Sequence, residues 1–227
     1  MHVWYLFANL HIERSNNADI FESNTPIYTM STPLHLACEK GHYDAAALLI
    51  KEGANDNIRD DVGHKPIHRA SVRGYDHIVE LLICNGANIN TQTVDLDNSD
   101  SDGDATSLHI AIYNDHHKVA KVLLKYGACT EIGDAWSAST PLHIAIKRKD
   151  KEMVKMLICN KADMHHKNYP REGPCLSPLE YAIKKGYTSM LKALMTNCTN
   201  DDIDIALKYA RRYKRRKATA YLRSIRS

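Results

Sequence analysis

The sequence predicts an all-α chain, a solenoid of stacked helix–turn–helix units, and three observations carry that prediction. First, Thr32-Pro33-Leu34-His35-Leu36-Ala37 returns as Lys65-Pro66-Ile67-His68-Arg69-Ala70, Thr106-Ser107-Leu108-His109-Ile110-Ala111 and Thr140-Pro141-Leu142-His143-Ile144-Ala145. A weaker fifth copy is Ser177-Pro178-Leu179-Glu180-Tyr181-Ala182, and the copies are spaced by 33, 41, 34 and 37 residues. A near-constant period of this size marks a helical repeat array. Second, Gly41, Gly74 and Gly186 follow the motif at a fixed distance, where glycine ends a short helix at positive φ. Third, a second apolar stretch precedes Gly53-Ala54-Asn55, Gly86-Ala87-Asn88, Gly127-Ala128 and Lys161-Ala162-Asp163. Helices this short are marginal alone, so stacking of neighbours has to bury their apolar stripes.

Taken in order, residues 1–31 fit the period poorly. Residues 3–10 (VWYLFANL) are apolar but far too few to span a membrane. They lack the basic flank and small-residue cleavage site of a signal peptide. The segment reads as an N-terminal extension or degenerate cap over the first repeat, with an exposed aromatic docking segment as the competing reading. From Thr32 the units are regular. Threonine is the N-cap and proline the first helical residue, where its missing N–H costs nothing. The second helices are expected over residues 42–52, 75–85, 118–126 and 152–160. Five repeats follow, at about 32–64, 65–105, 106–139, 140–176 and 177–203, with an acidic insertion at 94–104 inside the second. Shifting the first repeat by 173 residues places Ala210 on Ala37 and Leu222 on Leu49, which predicts a basic capping helix pair in 204–227, over 205–213 and 216–225.

With four to five copies of the TPLH box in hand, the chain resembles ankyrin repeat proteins over residues 32–227. The resemblance implies paired antiparallel helices, hairpin loops projecting at right angles, and a concave face between the loops and the first helices. It also implies protein binding without catalysis, through the residues before each box and the exposed end of each first helix. Those positions are Tyr28, Asp61, Val62, His64, Trp136, Ser137 and Ser139 on the loops. On the helices they are Glu39/Lys40, Val72/Arg73, Tyr113/Asn114, Lys147/Arg148 and Lys184/Lys185, continued by Arg211/Arg212 in the cap. Trp136 has two readings, a binding anchor or a ring folded over the next loop. The chain departs from the pattern where Asp115 and Lys149 replace the turn glycine, a conformation lysine adopts poorly. It departs again where Glu180 replaces histidine and Cys198-Thr199 replaces Gly-Ala, which makes the fifth repeat the most eroded.

Composition excludes disorder, with 44% apolar and 25% charged residues. The net charge of +3 conceals an asymmetry: residues 208–227 hold nine Lys/Arg and no Asp/Glu, against 21 basic and 27 acidic residues before them. Arg211-Arg212-Tyr213-Lys214-Arg215-Arg216-Lys217 is a basic run of the sort used in nuclear import or on anionic surfaces. It also lies near helix ends, where cations offset the dipole. Of the six cysteines, Cys84 and Cys159 occupy one repeat position two units apart, too far to bridge, so reduced thiols are expected.

His35, His68, His109 and His143 share one repeat position and read as structural ties. His116-His117 and His165-His166 are adjacent pairs without ligand spacing, and no C-x-x-C exists, so no metal and no cofactor are expected. In the acidic insertion, Asn98, Asp100, Asp102 and Gly103 imitate the start of a calcium loop, but its twelfth position falls on His109 and not on glutamate. A solvated finger is the better reading, in which Ser99 and Ser101, each followed three residues on by aspartate, are candidate phosphorylation sites. No nucleophile–base pair, phosphate loop or carboxylate pair is visible, so an enzyme is not expected. The reading is a monomeric, non-catalytic scaffold or adaptor that binds a protein partner with an acidic surface, cytoplasmic and without a membrane span. The alternatives are a nuclear or nucleic-acid-associated protein acting through the basic run, and a host-directed interaction protein of an intracellular pathogen or virus.

Overall fold

Proline fixes φ at the start of most first helices, and a residue in the left-handed region stops them eight residues later; these two restraints give the chain its regular beat. A computed structural model describes residues 31–94, 103–135, 137–170, 173–196 and 198–226. Those residues hold twelve helices and no strand beyond an isolated antiparallel bridge between Gln92 and Thr106.

The chain divides into two compact units, residues 1–128 and 129–227. In the first, α1 (Pro33–Lys40) and α2 (Tyr43–Lys51) pair, as do α3 (Pro66–Arg73) and α4 (Asp76–Cys84), and α5 (Ser107–Tyr113) and α6 (His117–Lys125). First helices stack as α1–α3–α5 and second helices as α2–α4–α6. The second unit repeats the plan with α7 (Pro141–Arg148) and α8 (Lys151–Cys159), α9 (Pro178–Lys185) and α10 (Thr188–Leu194), and α11 (Asn200–Arg212) and α12 (Arg216–Ile225). There the stacks are α7–α9–α11 and α8–α10–α12.

The box leucine position is buried throughout, at Leu34, Ile67, Leu108, Leu142 and Leu179. Second helices answer with Ile78, Leu82, Val119 and Leu123 in one unit and Met153, Leu157, Leu191 and Leu194 in the other. Ile203, Leu207 and Leu222 close the C-terminal end. All six cysteines are free thiols, and burial pushes the Cys38 thiol up to about 12.

The second helices begin and end within a residue or so of the sequence expectation. The cap differs: α11 starts at Asn200, five residues earlier than the shifted alignment places it. Thr199 is its N-cap, and the Asp202 carboxylate accepts from both the Thr199 N–H and hydroxyl at 2.7 Å. That capping box draws the chain into helix early, so a boundary drawn between 203 and 204 falls inside α11.

The glycine-less turns adopt the same left-handed backbone as the others. Asp115 and Lys149 have φ of 58° and 62°, against 81° at Gly74, and Lys214 in the cap joins them at 53°. What covers each turn also recurs. A Cβ on Gly74 would meet His116 Nδ1 at 2.7 Å, and one on Gly41 would meet the Tyr75 ring at 2.6 Å. In the second unit Tyr187 takes that place beneath the Lys149 ammonium, 5.0 Å away, and Arg215 takes it over Gly186.

Candidate functional site

Each box histidine is an internal tie. In the Thr32 unit, His35 Nδ1 accepts from the Thr32 N–H at 3.2 Å, and the same bond appears at Lys65–His68, Thr106–His109 and Thr140–His143. A ring nitrogen that accepts from backbone N–H carries no proton, so the proton is on Nε2. Nε2 then donates to a hairpin carbonyl: His35 to His64 at 3.1 Å, His68 to Thr91 at 3.0 Å and His143 to Leu176 at 3.0 Å. Burial lowers all three pKa values, His68 to about 3 and His143 to about 4. They are neutral frame residues with no lone pair to offer a ligand.

The hairpins hang from a second periodic position that the sequence reading missed. Asp60, Thr93, Asp134 and Asn168 each lie 28 residues after the start of their box. Each side chain accepts from the N–H that closes its loop: Asp60 from His64 at 2.9 Å, Thr93 from Ala105 at 3.0 Å, Asp134 from Ser139 at 3.1 Å and Asn168 from Leu176 at 2.9 Å. The available signal was a small acceptor recurring in phase with the box, hidden because loop length after it varies. Burial opposes ionisation of Asp60, but the Arg69 guanidinium at 2.5 Å and the His64 N–H outweigh it and hold the carboxyl below its ordinary range.

These ties sort the expected binding residues. His64 is buried, with its ring edge-on to His68 and its backbone bonded to both Asp60 and His35, so its side chain belongs to the frame and not to the outer surface. Asp61 is exposed beside it. Arg73 is exposed and paired with Glu39 at 2.7 Å, and Tyr113 is 43% exposed. Tyr28, Trp136, Ser99 and Ser101 lie outside the described residues, as does the insertion from 95 to 102. Its stem is described: Thr93 and Ala105 exchange backbone and hydroxyl bonds, and Gln92 donates to the Asp104 carbonyl at 2.7 Å.

In residues 129–227 the last turn of every first helix carries adjacent cations: Lys147-Arg148, Lys184-Lys185 and Arg211-Arg212. Tyrosine rings lie under four lysines, with Lys149 over Tyr187 at 5.0 Å, Lys184 over Tyr213 at 5.9 Å, Lys185 over Tyr181 at 5.8 Å and Lys192 over Tyr221 at 5.4 Å. Lys147 donates to Ser139 Oγ at 3.0 Å, and desolvation lowers its pKa. The basic run of the cap is folded, not extended. Arg211 and Arg212 end α11, Lys214 and Arg215 form the turn, and Arg216 and Lys217 open α12. Arg215 donates to the Lys184 carbonyl, and Arg212 pairs with Glu180 at 3.3 Å. Cations are favourable at the end of α11 but oppose the dipole at the start of α12, so helix stability does not explain Arg216 and Lys217.

The fifth box proves intact in purpose. Glu180 is buried and accepts from Tyr213 Oη at 2.7 Å as well as from Arg212, doing toward the cap what histidine does toward a hairpin. No helix among the described residues is long and apolar enough to cross a membrane.

Family models described as ankyrin repeats match residues 5–93, 94–168 and 142–195, so the family pattern reaches back into the segment before Thr32. The chain is similar to the ankyrin repeat protein FPV031 of fowlpox virus, 29% identical over 72% of this chain and 47% of that protein. It is 31% identical to human ankyrin repeat and SOCS box protein 16 over 69% of this chain and 34% of the relative. It is also 26% identical to the chicken nuclear factor NF-kappa-B p105 subunit, over 79% of this chain and 17% of the relative. It thus spans less than half the length of each. The chain belongs to the ankyrin repeat family, whose repeats mediate protein–protein interaction and are typically non-catalytic.

Proposed function

We propose that this chain is a scaffold or adaptor that holds an acidic protein segment against the cations of residues 129–227. The observation that carries the reading is the pair of adjacent cations at the ends of α7, α9 and α11. Tyrosines beneath the two lysines of the α9 pair, Lys184 and Lys185, hold their ammonium groups in place, which lowers the entropy lost when a partner binds. Hairpin residues such as Asp61, and Trp136 beyond the described set, would supply shape and anchoring beside that charge.

The test uses two probes, a glutamate-rich peptide and a short DNA duplex, titrated by fluorescence anisotropy at several salt concentrations. The reading expects the peptide to bind more tightly than the duplex and to weaken when Arg148 and Lys185 are both changed to glutamate. Tighter binding of the duplex, with the steep salt dependence of many phosphate contacts, would replace it with the nucleic-acid reading. Absence of peptide binding would also overturn it.

A further inference from the structure

We propose a divalent-metal site between two neighbouring hairpin stems, with Glu131, Asp163 and His166 as its protein ligands. Glu131 lies on the stem that leads to α7, and Asp163 and His166 lie on the stem that leads to α9. One ligand atom from each lies within 4.8 Å of the other two.

The two oxygens of Glu131 are used unequally. Oε1 accepts from the Thr130 hydroxyl and from the Asp163 N–H, both at 2.9 Å. Oε2 is shielded from water and makes no hydrogen bond, the condition in which a carboxylate oxygen most lacks a partner. Its neighbour is His166 Nδ1, at 3.3 Å. That distance is long for an N–H···O bond. It suits two ligands of one ion: with zinc bond lengths, it subtends about 107° at the metal, close to tetrahedral. The spacing of up to 4.8 Å in the triad exceeds the roughly 4.2 Å that two zinc ligands can span, so the exposed Asp163 carboxylate has to turn inward to bind.

Asp163 is held in place from behind, since its Oδ1 accepts from the His165 N–H at 2.7 Å. The surrounding bonds therefore orient Glu131 before any ion arrives and tether the exposed Asp163 beside it, as supporting partners do in metal sites. Two carboxylates balance a divalent charge. One imidazole with two carboxylates favours a borderline ion such as zinc over magnesium or calcium, which take six or more oxygens. Water completes the fourth position. Bound metal would join consecutive stems and lock the spacing of the loops they carry. The pattern was invisible in sequence because His166 takes its partner from a stem one repeat away, and not from a neighbour at ligand spacing.

Zinc is titrated into the reduced 227-residue chain by calorimetry and native mass spectrometry, beside Glu131→Gln and His166→Ala. The expected result is one zinc per chain with a raised thermal midpoint, and about tenfold or greater loss of affinity in each variant. Glu131→Gln keeps the size of the side chain and an acceptor for Thr130 and Asp163, so a folding defect would not mimic the loss. Cobalt substitution adds a second readout, because thiolate ligation gives a charge-transfer band that oxygen and nitrogen ligands do not. No binding at roughly hundred-micromolar zinc, undiminished binding in either variant, or a thiolate band that tracks binding would each overturn the site.

Discussion

Tyr213 donates its phenolic hydrogen to the buried Glu180 carboxylate at 2.7 Å, and this bond joins the C-terminal cap to the repeat before it. The histidine of the other boxes needs a hairpin carbonyl to receive its proton. After the fifth box there is no long hairpin, since α11 begins at Asn200, and the partner offered is a phenol. An acceptor has to stand at the box position, and glutamate is one. Tyr213→Phe is expected to lower stability by about 1–2 kcal/mol, because it leaves the buried Glu180 carboxylate short of a donor. Glu180→Ala should cost at least as much, because it removes the buried side chain as well as the acceptor of Tyr213. Urea denaturation measures the loss, and hydrogen exchange should place it in α11 and α12. A Glu180→Ala protein of unchanged stability would show that the cap is held by its apolar contacts alone.

Acid should loosen the frame before it titrates most carboxylates. Burial holds His68 at about 3 and His143 at about 4, and lowers His35 as well, while the unfolded chain binds these protons near 6.5. A folded pKa below the unfolded one gives stability that is complete above about 6.5 and is lost as pH falls toward the folded values. Between about pH 6.5 and 4 the slope should approach roughly 1.4 kcal/mol per pH unit for each histidine involved. Denaturation midpoints at stepped pH read it, and His68→Gln should reduce the slope even if it lowers the starting stability. A flat profile over that range would contradict neutral, buried histidines.

Backbone strain can be relieved at one turn and created at another. Lys161 has φ of 64° where the equivalent positions are Gly53, Gly86 and Gly127. Lys161→Gly is expected to stabilise the protein by about 1 kcal/mol, since the left-handed conformation costs an L-residue about that much. Gly63→Ala should act in the opposite sense and more strongly. Its φ is 81°, and a Cβ there would lie 1.9 Å from the Val94 carbonyl oxygen on the adjacent loop. Thermal melts of the two variants should move apart; movement of both in one direction would refute the assignment of strain.

Charge reversal at Arg148 and Lys185 should weaken acidic-peptide binding by about tenfold or more at low salt and by less at high salt, because exposed charges are screened. Both side chains are exposed, so the melting temperature should change little. An equal loss at every salt concentration would point to a packing effect.

Trp136→Ala is expected to weaken partner binding by about 2 kcal/mol while leaving thermal stability nearly unchanged. Affinity purification with mass spectrometry, wild type against variant, measures the first quantity and calorimetry the second. A large stability loss with normal binding would assign the indole to packing.

The repeating box, the turn residues and the apolar stripes were legible in the sequence because they are local and periodic. Helix starts, stops and buried faces follow from Pro33, Gly41, Leu34 and their copies with no knowledge of distant residues. The histidine ties were also readable, since one position repeated four times has one role. His64 was misplaced because its position in the loop suggested exposure, whereas burial depends on the Asp60 carboxylate and on His35 from the previous repeat. Glu180 looked like erosion because its partner, Tyr213, is 33 residues away.

Period, composition and turn chemistry thus determined an all-α repeat array with a basic C-terminal end. Tertiary structure alone decided which substitutions were repairs, which cations lie on tyrosine rings, and which carboxylate has a buried oxygen without a hydrogen bond. Glu131 meets Asp163 and His166 only because repeats of about 33 residues stack in register, so that residues a full unit apart become neighbours. Local rules fix each repeat, and stacking brings residues a full repeat apart together.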